Sequence, residues 1–157
     1  MADVIDDLLK REGGLVDNPA DKGGRTAYGI SEKANPEAWA DGKVTSEEAK
    51  AIYTKKYIQG PGFDKLPDSK LRTQLIDFGV NSGPGIAIIR LQEIIGVEAD
   101  GVLGPQTVAV LSKFNSDAVN NALVIARIRM ICRIVKKNPS QLAFLLGWID
   151  RALSFLV

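Results

Sequence analysis

Glu12, Asp21 and Thr26 are the residues through which this chain could do chemistry. Ile5, Leu8 and Leu9 recur at helical spacing, and Glu12 continues their stripe at i+7, i+4 and i+3. A carboxyl group on the buried face of a helix is disfavoured as an anion. One that keeps its proton can pass it to a leaving group. The other reading makes Glu12 a surface residue of the last helical turn, with Gly13 as the helix stop. From Gly13 to Gly24 the chain carries four glycines and one proline. That composition predicts a shaped loop, neither strand nor helix. Asp21 follows Glu12 by nine positions, and Thr26 follows Asp21 by five. A carboxylic acid, a carboxylate and a hydroxyl gathered by one loop suit glycoside hydrolysis. The acid protonates the glycosidic oxygen while the carboxylate activates water or stabilises the oxocarbenium ion. An Asx- or ST-turn that merely closes the loop fits Asp21 and Thr26 equally well.

Helices must position these groups, because helical signals dominate the chain. Residues 30–39 form a short segment broken by Pro36, and Asp41 to Val44 reads as a turn with a short extended piece. Thr45 with Glu48 three positions on is a capping box for a helix that runs to about Ile58. Asp68 or Ser69 starts another, with Leu71, Leu75 and Phe78 facing inward. Beyond Gly83 and Pro84 follows a helix carrying Ile86, Ile89, Leu91, Ile94 and Ile95, then a short one over 106–114. The longest predicted helix spans 117–136. Leu123, Val124, Ile128, Met130, Ile131, Ile134 and Val135 cover more than half its circumference, which makes it the central helix. Arg127 falls inside that apolar arc, so it should be buried against a carboxylate from another helix. Arg129, Arg133, Lys136 and Lys137 share the remaining arc and read as a solvated face, with anionic wall polymers or lipid headgroups as the other option. Asn138 and Pro139 cap the last helix.

Composition narrows the chemistry further. A chain of 157 residues is expected to form one domain. A net charge of +1 gives no support for whole-protein attraction to nucleic acid. There is no histidine, which removes serine–histidine and cysteine–histidine catalysis and the usual zinc ligand sets. Neither a metal nor an organic cofactor is expected. The lone Cys132, among Met130, Ile131 and Ile134, is expected to be a buried structural thiol. The loop is no EF-hand, because Tyr28 stands where the terminal glutamate would be. No secretory signal is visible, so synthesis in the cytoplasm is expected. The apolar 142–157 segment is interrupted by Asp150 and Arg151 and reads as a packed terminal helix, not a membrane span. Tyr28, Trp39, Tyr53 and Tyr57 could stack on sugars or fill the core. Only Tyr28 lies within the loop.

Three blocks resemble a known family. Glu12-Gly13-Gly14 followed by Asp21-Lys22-Gly23-Gly24-Arg25-Thr26-Ala27-Tyr28-Gly29-Ile30 resembles the signature of glycoside hydrolase family 108, phage and bacterial muramidases that are often endolysins. Asp77-Phe78-Gly79-Val80-Asn81-Ser82-Gly83-Pro84 resembles the start of that family's C-terminal, peptidoglycan-binding part. Leu91-Gln92, Gly96-Val97, Asp100-Gly101 and Gly104-Pro105-Gln106-Thr107 continue the match, and Asn138 to Gln141 and Gly147 to Arg151 close it. The likeness covers nearly the whole chain. The glutamate–aspartate–threonine order also resembles phage-type lysozymes, although the Lys22–Arg25 gap is one residue shorter than theirs.

The resemblance implies Glu12 as the catalytic acid. Asp21 would position or activate water or stabilise positive charge, and Thr26 would hold that water. Tyr28, Gly29 and Asn81 are the expected substrate-binding residues. The implied fold is mainly α, a lysozyme-like helical domain with at most a small β element near residues 23–45. Residues 1–66 would be its catalytic-loop part and 67–157 its helical, peptidoglycan-binding part. The implied reaction is hydrolysis of the β-1,4 link between N-acetylmuramic acid and N-acetylglucosamine, by a monomer that acts on the periplasmic wall and depends on a holin-like protein to reach it. Rival readings are a silent wall-binding protein and a lytic transglycosylase.

Overall fold

The computed structural model describes residues 2–12, 15–16 and 25–157, in two compact units, Met1–Gly60 and Pro61–Val157. The fold is mainly α and lysozyme-like. In the first unit, α1 (Ala2–Glu12) buries Val4, Ile5, Leu8 and Leu9. It packs on α2 (Ser46–Thr54), whose inward residues Ala49 and Tyr53 are four apart, on one helical face. Thr45 caps α2 in the full capping box with Glu48. A π-helical turn, Lys55–Gln59, extends α2 to Gly60. A 3₁₀ turn over Pro36–Trp39 precedes it and buries Trp39, whose indole N–H donates to the Ile30 carbonyl at 3.2 Å.

Three two-residue strands complete this unit: β1 (Leu15–Val16), β2 (Thr26–Ala27) and β3 (Ile30–Ser31). They pair antiparallel in the order β1-β2-β3, with Leu15 opposite Ala27 and Ala27 opposite Ile30. β2 and β3 fall within the expected 23–45 span, whereas β1 lies before it. The expectation of a loop without strands is therefore corrected at Leu15–Val16. Glycine content marks where a chain bends, but it does not reveal a distant strand partner.

In the second unit, α3 (Lys70–Ser82), α4 (Pro84–Ile95) and α6 (Ser116–Lys137) pack pairwise on one another. Phe63, Leu75, Ile76, Phe78, Leu91 and Leu123 form the dry interior. Gly79 lets α3 and α4 approach closely: a Cβ there would stand 3.3 Å from Pro84 Cα. The short α5 (Pro105–Leu111) joins α4 to α6. Asn138 caps a 3₁₀ turn, Pro139–Phe144, which leads into α7 (Leu145–Leu153). Among the described residues, no helix is long and apolar enough to cross a membrane.

α6 touches α3, α4 and α7, as a central helix should, but its buried stripe is narrower than the sequence suggests. Val119, Asn120, Leu123, Val124, Arg127 and Ile131 are buried, while Ile125 and Ile134 are exposed. Cys132 follows Ile131 around the helix and is also exposed, so the expectation of a buried thiol is corrected. Apolar sequence neighbours on a helix lie about 100° apart and need not share its burial. Similarly, α4 buries Ala87, Ile88, Leu91, Gln92 and Ile95 and leaves Ile86 outside. α7 buries Ala152 but leaves Leu146 and Leu153 exposed.

Candidate active site

The β2–β3 hairpin shapes the neighbourhood of Glu12. Its two-residue turn is Tyr28–Gly29, with φ of +51° and +74°. Positive φ at both central residues is the geometry that matches the twist of a tight hairpin. Glycine adopts it freely, whereas tyrosine does so at a cost of roughly 1–2 kcal/mol. Two contacts hold the turn despite that cost. The Tyr53 hydroxyl of α2 donates to the Tyr28 carbonyl at 2.6 Å. Arg25, just before β2, donates from Nε and Nη2 to the Glu32 carboxylate at 3.1 and 2.9 Å and from Nη1 to the Gly42 carbonyl at 3.0 Å. The Arg25 guanidinium also lies 5.0 Å over the Trp39 ring, and its hydrogen bonds hold the Glu32 carboxyl below the usual range.

Gly29 is where the carboxylate and the phenol meet. A Cβ built there would stand 2.7 Å from Glu12 Oε2 and 2.7 Å from the Tyr53 hydroxyl. Only the absence of a side chain lets both groups close on the turn. Burial, then the charge of Glu12, then Tyr57 push the Tyr53 phenol up to about 12. Tyr53 therefore keeps its proton at neutral pH and serves as a fixed donor. Tyr57 stacks on it, ring centroids 5.9 Å apart.

Glu12 itself is exposed, not buried with Ile5, Leu8 and Leu9. The stripe predicted burial, but Glu12 is the last residue of α1, where the packed face ends. The carboxyl is thus within reach of a ligand arriving from solvent. Thr26 is half-buried in β2, paired with Val16 and Ser31, and its side chain leaves the strand on the face opposite buried Ala27. Tyr28 is half-exposed and Gly29 is exposed at the turn. Asp21 lies outside the described residues. Asn81 belongs to the second unit, at the end of α3, where its amide N–H donates to the Asp77 carbonyl at 2.6 Å. Tyr53 and Trp39 are core residues and offer no stacking face. The part Tyr53 plays at the turn was not read from sequence. Its placement opposite Tyr28 depends on how α2 packs, and no local spacing encodes that.

A carboxyl at a helix end, a tight glycine turn and a fixed phenol meet on the helical frame of the first unit. The family model described as "Glycosyl hydrolase 108" matches residues 5–83, and one described as "Predicted Peptidoglycan domain" matches residues 86–153. The solved structure of SagA from Brucella abortus is similar at 33% identity and a TM-score of 0.70, covering 98% of this chain and 90% of that one. Comparison with curated proteins gave no match. The chain belongs to glycosyl hydrolase family 108, and it is a glycoside hydrolase that acts on peptidoglycan.

Proposed function

We propose that this protein is an endolysin-type N-acetylmuramidase that hydrolyses the β-1,4 bond between N-acetylmuramic acid and N-acetylglucosamine, with Glu12 as its catalytic acid. The observation that supports this reading is the Glu12 carboxyl lying against the bare backbone of Gly29 and exposed to solvent. In the reaction, Glu12 gives its proton to the glycosidic oxygen and the bond from that oxygen to C1 breaks. A water molecule adds to C1, and its proton passes to Asp21. Thr26 helps hold that water, and Tyr28 and Gly29 line the sugar-binding surface. Asn81 is assigned a separate substrate contact. The enzyme works as a monomer without metal or organic cofactor. It is made in the cytoplasm and reaches the periplasmic wall with the help of a separate holin-like protein.

Mass spectrometry of digested peptidoglycan tests the bond and the reaction together. The expected product ends in a reducing N-acetylmuramic acid. A 1,6-anhydro end would instead establish transglycosylation. Glu12→Gln should keep the fold by circular dichroism and lose about 10²–10⁴ in lytic rate. A variant that keeps more than about a tenth of the wild-type rate contradicts the acid role, given that range.

A further inference from the structure

The second unit carries a groove of about 140 Å³ beside its ionic cluster. Asn81 and Ser82 from the end of α3, Arg127 from α6, and Trp148 and Arg151 from α7 line it. Ile131 and Ile134 add an apolar wall. Two guanidinium groups here share one carboxylate. Arg127 Nη2 lies 2.7 Å from Asp77 Oδ2, and Arg151 donates from Nε to Asp77 Oδ1 at 2.8 Å and from Nη2 to the same oxygen. The cluster therefore keeps one positive charge in excess. Arg127 is only 4% exposed, yet its Nη1 has no hydrogen-bond partner among the described residues. That nitrogen is closed off from solvent and its guanidinium lies 5.1 Å over the Phe78 ring, so an arriving anion meets Arg151, whose side chain is 29% exposed.

We infer that this groove binds the free carboxylate of a short peptide ending in a small residue, such as the alanine-terminated stem of peptidoglycan. This assignment rests on the reading of the protein as a peptidoglycan hydrolase. Size and lining choose the ligand. About 140 Å³ holds four or five water-sized groups, which fits a carboxylate with a methyl-bearing carbon, the rest of the peptide lying outside the open groove. The excess charge favours an anion. Trp148 and the two isoleucines favour an apolar methyl beside it. The Trp148 ring is stacked on Phe144 with centroids 5.7 Å apart, so its face is held in place.

The test is NMR titration of the full chain with N-acetyl-D-alanyl-D-alanine, its C-terminal amide, and acetate. The acid should shift the Trp148 indole and Arg151 Nε–H resonances, and the amide should bind about ten- to a hundredfold more weakly, the loss of one charge-assisted contact. Ile134→Trp fills the groove from its exposed rim without touching Asp77, and it should abolish the shifts in a folded protein. Equal binding of acid and amide, or shifts that survive Ile134→Trp, would overturn the site. Acetate binding as tightly as the peptide would overturn the peptide assignment. Cleavage of intact wall, run in parallel, keeps the two readings apart. A protein that lyses wall but shows no acid-dependent shift loses the groove and keeps the muramidase. One that shows the shifts but cleaves no glycan does the reverse.

Discussion

The two units handle their charged groups in opposite ways. In the first, the carboxyl of interest stands at a helix end in solvent, and a backbone turn is shaped around it. In the second, Asp77 is 1% exposed and is held between arginines from two other helices. An exposed carboxyl at a helix end keeps its water and can meet a ligand at little cost in stability. A buried carboxylate between two cations can do neither easily, because each charge depends on the others for its solvation. The difference predicts that changes near Glu12 register mainly in rate and changes near Asp77 mainly in stability.

Asp77→Ala is the strongest test of that contrast. It strands Arg127, whose proton affinity burial already lowers against the opposing pull of Asp77. Unfolding in urea should show a loss of about 3–5 kcal/mol, as expected for one partner removed from a buried pair. Arg127→Ala should cost less, on the order of 1–3 kcal/mol, because Arg151 still neutralises Asp77. Equal losses from the two variants would show that the three groups do not act as one cluster.

Gly29→Ala probes the first unit. The new methyl would meet Glu12 and Tyr53 at 2.7 Å, on a residue whose φ is +74°. The positive φ should cost roughly 1–2 kcal/mol in stability. Displacing the carboxyl should cost far more in function, about 10²-fold in lytic rate, the usual effect of misplacing a reacting group by an ångström. Near-wild-type lysis by this variant would mean that the turn does not position the acid.

The same contrast explains what the sequence reveals. Arg127 is legible because α6 is 22 residues long, so its helical phase is well defined and an arginine inside the apolar arc stands out. The Thr45–Glu48 cap is legible because it depends on local spacing alone. Mainly helical architecture follows from the periodicity for the same reason. Extrapolating a stripe fails at its margins. Glu12 continues the phase of Leu8 and Leu9 but lies where the packing stops, and Cys132 borrows an apolar look from neighbours on another face. Tyr53 and β1 depend on contacts between distant segments, which no short pattern carries. Asp21 rests on its motif alone.

A smaller effect belongs to Gln92, a buried amide that organises the turn after α4. Its side-chain N–H₂ faces Asp100 Oδ1, Val102 O and Thr107 Oγ1 at 2.7, 3.0 and 3.1 Å, and its carbonyl accepts from the Gly101 N–H at 2.9 Å. Two hydrogens serve three acceptors, so at least one contact is shared. Gln92→Leu removes the whole set from a residue that is 1% exposed. A loss of about 1–3 kcal/mol is expected in the urea experiment, because the buried Thr107 hydroxyl is left without this partner. No change would mean that water replaces the amide fully.

The smallest expected effect is a pH slope at Asp100. Hydrogen bonds from Gln92 and then from the Val102 N–H hold its carboxyl below the ordinary 3.8. A carboxyl depressed by folding adds stability above its unfolded value and loses that contribution as pH falls through the folded one. Asp100 should therefore leave Tm unaffected at neutral pH and lower it only as pH drops below about 3.8. Because the group is exposed, water screens the effect and the slope should be shallow. Asp100→Asn keeps an acceptor for Gln92 but cannot titrate, so its Tm should fall less steeply over the same acid range. Parallel Tm–pH curves for the two proteins would show that Asp100 does not carry the acid sensitivity of the second unit.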